Sequence, residues 1–142
     1  MTIVAAIDGE DGSRSVFSEA QTLAEQFGEP LEVLLVYEAD DHAYLVNQYL
    51  SGRDTLSGDR AQELAEEVVA DLAADATDEC EPVGCVGDPA EEILDRATDV
   101  DARYVVIGGR SRSPVGKALF GSVTQSVLLE ADRPVVTVMA EP

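Results

Sequence analysis

Asp8 comes directly after the apolar run Ile3-Val4-Ala5-Ala6-Ile7 and directly before a glycine turn, Gly9 to Gly12. A carboxylate at the end of a buried strand can orient a nucleotide or a Mg²⁺ ion. It can equally hydrogen-bond the free N–H groups of the helix that follows. The second concentration of chemistry runs from Gly108 to Ser122. Its glycines let backbone approach a ligand closely, and Ser111, Ser113, Ser122 and Thr124 supply hydroxyl donors. The segment ends where a helix begins, and free N–H groups there attract an anion, so a phosphate suits it. Arg110, Arg112 and Lys117 are three of only nine basic residues, which gives this segment a local positive field in an acidic chain. Bland readings stand beside these. Ser122 with Gln125 has capping-box spacing, and Gly108 and Gly109 can simply relieve crowding at a strand end.

Several chemistries are excluded. The chain has one histidine, His42, in an irregular acidic stretch, so it carries no Ser-His-Asp set. No Gly-Lys-Ser/Thr triplet occurs, and no Gly-x-Gly-x-x-Gly follows the first strand, which rules out a standard P-loop kinase or dehydrogenase. Cys80 and Cys85 are too few for a disulfide scaffold or a four-ligand zinc site and read as buried free thiols. Tyr44 and Tyr49 could stack on a base or pack back on the domain.

These residues need elements to position them. After the strand 3–7, Ser13 or Ser15 can cap a helix whose apolar positions Val16, Phe17, Ala20, Leu23, Ala24 and Phe27 recur at helical spacing, with Gly28 as the stop. Glu32 to Tyr37 is a second strand, with the core Val33-Leu34-Leu35-Val36 apolar on both faces. Residues 38–58 have no clear period and read as a long loop with a short helix near Tyr44 to Leu50. Asp59 and Gln62 have capping-box spacing before a long helix with the stripe Ala61, Leu64, Ala65, Val68, Val69, Leu72 and Ala73. Pro82 to Val86 is a weak strand. Asp88-Pro89-Ala90-Glu91 then places an N-cap, a proline at the first helical position and a glutamate at the third, opening a helix to about Thr98. Tyr104 to Ile107 is the fourth strand. A helix with Val123, Val127, Leu128 and Ala131 inward follows the glycine segment, and Val135 to Met139 is the last strand. Strict β-α alternation specifies a parallel sheet with helices on both faces, because parallel neighbours need helical crossovers. In such a sheet ligands bind outside the carboxyl ends of the strands, on the rim that holds Asp8, Val36 and Gly108.

The 142 residues, 45% hydrophobic and 27% charged, suit one domain spanning 1–142. Twenty-nine acidic residues give a net charge of -20, which disfavours nucleic acid and anionic membranes as partners. Lys117 is the only lysine, and dense carboxylates with so little lysine are similar to proteins of salt-accumulating halophiles, with a halophilic archaeon as the expected source. No apolar run approaches the roughly 18–20 residues of a membrane span, and the N-terminus lacks a secretory pattern, so a cytoplasmic protein is expected.

The chain resembles the universal stress protein family along essentially its whole length. Nucleotide-binding members have an aspartate after strand one, here Asp8, and Gly-x-x-Gly, nine residues, then Gly-Ser/Thr after strand four. Gly108-Gly109-Arg110-Ser111, then Arg112 to Phe120, then Gly121-Ser122 take that second role. Gly87-Asp88-Pro89-Ala90-Glu91-Glu92-Ile93 and Ala131-Asp132-Arg133-Pro134-Val135-Val136 also resemble the family. The departure is Ser111, where the pattern has its second glycine.

The resemblance implies an open five-stranded sheet of order 3-2-1-4-5, Rossmann-like and similar to the adenine nucleotide α-hydrolases, and a homodimer formed along Val135-Met139. It implies ATP, or ADP or AMP, with Mg²⁺ as a companion. Adenine would lie near Val36 and Ile107, ribose near Asp8 and Gly108, and phosphates at Ser111, Gly121, Ser122 and Val123. Arg110 and Arg112 join the site on charge rather than resemblance. ATP hydrolysis is slow at most, since no residue is placed as a strong base. Ser111 favours the alternative, a nucleotide-free dimeric scaffold for protein interaction. An α-hydrolase enzyme would need a His-x-Gly-His motif, which the sequence lacks.

Overall fold

Successive residues of a strand face opposite sides of a sheet, and the first strand divides accordingly. β1 (Thr2–Ile7) sends Ile3, Ala5 and Ile7 to one face and Val4 and Ala6 to the other, and both sets are buried. A strand apolar on both sides needs a helix layer on each. α1 (Ser13–Phe27) and α2 (Gly58–Leu72) cover the first face through Val16, Phe17, Ala20, Ala65 and Val69. α3 (Pro89–Asp99) and α4 (Ser122–Glu130) cover the second through Ala90, Ile93, Ala97 and Val127. The remaining strands are β2 (Leu31–Tyr37), β3 (Cys80–Val86), β4 (Ala102–Gly109) and β5 (Val135–Met139). In this computed structural model the described residues are 1–10, 12–38, 58–73, 80–109 and 121–139.

All pairings are parallel and the order is β3-β2-β1-β4-β5, as expected. Two crossovers run one way from β1, and the third returns past it to β4. The order therefore reverses between β1 and β4, and their carboxyl ends diverge at Asp8 and Gly108.

Local signals set most boundaries. Gly28 closes α1 with φ of 63°, a left-handed conformation that costs glycine little. Asp88 caps α3 by accepting from the Glu91 amide, and Pro89 begins the helix. Strands β3 and β4 are longer than expected, the latter taking in Gly108 and Gly109, because β1, β2 and β5 pair alongside them.

Other expectations are corrected. The α1 N-cap is Gly12, without a side-chain bond, so neither Ser13 nor Ser15 caps it. Asp59 lies inside the first turn of α2. Gln62 accepts from the Gly84 amide (2.8 Å) and donates to the Pro82 carbonyl (2.7 Å). Tyr37 turns its carbonyl to β3, accepting from Gly87, so alternation turns Pro82 and Gly84 outward. Gln62 thus occupies the outer edge of β3. Phe27 is exposed and carries the Arg103 guanidinium 4.5 Å above its ring. Leu128 is exposed too, because α4 rests on the sheet through Thr124 and Val127.

Glu32 breaks the apolar pattern of β2. Its carboxylate is buried on the second face and takes two bonds from Arg96 of α3, at 2.7 and 2.5 Å. A buried carboxylate is tolerated only when paired in this way.

Candidate functional site

A cavity of about 390 Å³ opens where β1 and β4 diverge. It falls within the roughly 300–1,000 Å³ of small-molecule sites. Asp8, Val36, Ile107, Gly108, Gly121, Ser122 and Val123 all line it, although the sequence spreads them over more than a hundred positions. Arg110, Ser111 and Arg112, the other three candidates, lie outside the described residues, as do Lys117, His42, Tyr44 and Tyr49.

One side of the cavity is apolar. Leu34 and Val36 come from β2, Ile107 from β4 and Ile93 from α3. Beyond the end of β1, β2 continues to Tyr37. Since Tyr37 faces β3, the Val36 peptide faces β1. With Ile7 opposite Leu35, a continued parallel ladder would give the Val36 carbonyl the Gly9 amide. That amide instead donates to Ser13 Oγ at 3.0 Å, leaving the Val36 carbonyl turned to the cavity.

The opposite side is polar. Gly121 is the N-cap of α4 and offers no side chain, so the first-turn amides have no side-chain acceptor among the described residues. The capping reading of Ser122 is therefore corrected: it stands inside the helix. Thr124 is 5% exposed and lines the cavity, and its Oγ1 donates to the Gly108 carbonyl at 2.7 Å, so its proton ties α4 to the end of β4 rather than serving as a donor to a ligand. The tie aims the helix N-terminus into the cavity.

Asp8 lies between the two sides because β1 lies between β2 and β4. Its Oδ1 accepts from the Glu10 amide (2.8 Å) and from Ser13 Oγ (3.1 Å). Oδ1 serves the local turn and the Ser13 hydroxyl rather than a free N–H group of α1, and Oδ2 has no partner among the described residues. Glu38, not anticipated as a lining residue, brings a second carboxylate, and no cation lines the cavity among the described residues. Ser13 was expected only as a cap. Its position five residues after Asp8, across a glycine turn, was the available signal.

Near this rim, burial and then the neighbouring Glu92 push the Cys85 thiol up to about 11. Burial raises Cys80 as well, which disfavours the thiolate at both half-buried cysteines. Among the described residues, no group of three or more His, Cys, Asp or Glu side chains forms a metal cluster, and no helix is long and apolar enough to cross a membrane.

Comparison with known proteins gives a consistent result. Residues 1–139 match the model of the universal stress protein family. A universal stress protein of Mycolicibacterium smegmatis is 50% identical over 58 residues, 41% of this chain and 43% of that relative. A universal stress protein of Thermus aquaticus, from the QAH/OAS sulfhydrylase 3′ region, is 31% identical over 96% of this chain and 97% of its own. A universal stress protein of Archaeoglobus fulgidus, solved in complex with dAMP, shares the fold with a TM-score of 0.63 and 24% identity over 96% of each chain.

Proposed function

Since the chain belongs to the universal stress protein family, we propose that it binds an adenine nucleotide in the β1/β4 cavity and acts as a homodimeric stress-response module. ATP is the first candidate, ADP and AMP the others, with Mg²⁺ on the phosphates. The observation that carries the reading is the meeting of an apolar slot, a central carboxylate and an uncapped helix N-terminus around one cavity. Each suits one part of a nucleotide. The base enters between Val36 and Ile107, where the Val36 carbonyl, without a partner among the described residues, accepts an exocyclic amine. The sugar lies at Asp8 and Gly108. The phosphates, repelled by Asp8 and Glu38, go to the amides of Ser122 and Val123 beside Gly121. Ser111, Arg110 and Arg112 complete the phosphate end and offset the surrounding negative charge. The relative solved with dAMP supports the ligand class.

Dimerisation follows β5. Gln62 occupies the β3 edge, whereas β5 has no neighbour on its outer side among the described residues. The charged residues of 121–140 are Glu130, Asp132 and Arg133, a net charge of -1, so this segment spares two acidic copies much mutual repulsion. The acid excess fits the cytoplasm of a salt-accumulating cell. With His42 the only histidine, ATP turnover is slow at most.

Calorimetric titration of ATP in molar KCl, with and without Mg²⁺, tests the reading, together with release of any co-purified nucleotide by denaturation. Saturable binding of one nucleotide per chain is expected. No binding and no retained nucleotide would favour the dimeric interaction scaffold that Ser111 suggests.

A further inference from the structure

Ser13 is 3% exposed, sits in the first turn of α1 and lines the cavity beside Asp8. Its hydroxyl has one proton. The Gly9 amide donates to Ser13 Oγ at 3.0 Å, and that proton is spent on Asp8 Oδ1 at 3.1 Å. Gly9 holds φ of 82°, a left-handed conformation open to glycine, at the turn that separates β1 from α1.

We propose that Ser13 is the positioning residue of the nucleotide site: by holding Asp8 Oδ1 and the Gly9 amide it presents Asp8 Oδ2 and the Val36 carbonyl to the ligand. The inference rests on the nucleotide reading above, in which the sugar lies at Asp8.

The argument has two halves. An aspartate χ2 is broad and two-fold, so an exposed carboxylate at a strand end presents its oxygens without preference. The Glu10 amide holds Oδ1 only to a neighbouring turn. Ser13 ties it to a helix whose next residues, Val16 and Phe17, are buried in the core, so the free oxygen is fixed relative to the sheet. A carboxylate oxygen is an acceptor and repels phosphate, so it selects a hydroxyl donor. Midway between the base slot of β2 and the N-terminus of α4, that donor is a sugar hydroxyl. The second half concerns the end of β1. Were the Gly9 amide released, it could pair with the Val36 carbonyl and extend the β1–β2 ladder by one bond. Ser13 captures that amide and keeps the strand end open.

The test compares ATP with 2′,3′-dideoxy-ATP by calorimetry in molar KCl on the full chain. Wild type is expected to bind the dideoxy nucleotide about tenfold or more weakly, the size of a hydrogen bond to a charged acceptor. In Ser13→Ala that ratio should fall below about threefold, because Asp8 Oδ2 is no longer aimed. Ser13→Thr, which keeps the hydroxyl, should restore it. In an Asp8→Ala background, Ser13→Ala should leave the ratio unchanged, and this pair is informative even where absolute affinity drops. An unchanged ratio in Ser13→Ala, or an equal ratio near one in wild type, overturns the positioning role while leaving nucleotide binding intact. No ATP binding by wild type overturns the nucleotide reading and this inference with it.

Discussion

Gly84 faces the backbone of α2, and replacing it by alanine should cost more than any other single methyl group added to the β3 side of the molecule. A Cβ there would lie 2.5 Å from the Ala61 carbonyl carbon, 2.9 Å from Ala65 Cβ and closest of all to the Ala61 oxygen. Carbon pairs rest at about 3.5–4.0 Å, so α2 would have to retreat by about 1 Å. No rotamer change relieves the clash, since the obstacle is a helix backbone. The retreat loosens Ala61, Ala65 and Val69, each exposed to 4% or less, and stretches both Gln62 bonds. Overpacking of about 1–3 kcal/mol and two bonds of about 1 kcal/mol each give a loss of about 3–5 kcal/mol for Gly84→Ala. Urea unfolding followed by circular dichroism in molar KCl measures it. Gly109→Ala is the instructive control. Its Cβ is crowded by the Met139 sulfur and, at 3.1 Å, by Thr137 Cγ2, both side-chain ends. Met139 can swing away, so the loss there should be only about 1 kcal/mol. Equal losses in the two variants, or a Gly84→Ala loss below about 1 kcal/mol, would refute the claim that the helix backbone sets the cost.

Gly121 has φ of -70° and ψ of 165°, open to any residue, so Gly121→Phe should leave the unfolding midpoint nearly unchanged. If that backbone meets phosphate, the same variant should lose ATP affinity by about 100-fold or more in calorimetry, and retained affinity would remove the phosphate assignment. Glu29 is held below its usual value of 4.5, chiefly by the hydrogen bond from Arg103. A carboxyl lowered in the folded state stabilises above its unfolded pKa, and that contribution is lost as pH falls through the folded value. The stability gap between wild type and Glu29→Gln should therefore be largest near pH 7 and shrink below pH 4.5 in urea titrations, and a constant gap would sink the assignment.

Much of the fold was legible because its signals are local. The double apolar face of 3–7, the Gly28 stop and the Asp88-Pro89 opening each depend on neighbours within one turn or one strand. The candidate site was legible in outline for a related reason. A parallel sheet sends every strand's carboxyl end to one rim, so Asp8, Val36 and Gly108 had to meet there once the alternation was recognised. Residues whose partners lie far away in sequence were harder to read. Glu32 was read only as the start of a strand, and its partner Arg96 lies 64 positions on. Phe27 and Leu128 fit a helical stripe, yet both are exposed.

What the sequence by itself determined was the set of elements, their alternation and, through the resemblance, the family, because capping, periodicity and motif spacing are written within short windows. Only the tertiary structure decided that Ser13 serves Asp8 and Gly9 rather than a helix end, that Thr124 serves Gly108 rather than a ligand, and that Gln62 closes one sheet edge. A hydroxyl or amide side chain has several possible partners of similar strength. The choice among them is made by packing, when the helices settle on the sheet and bring one acceptor to hydrogen-bond distance before the others.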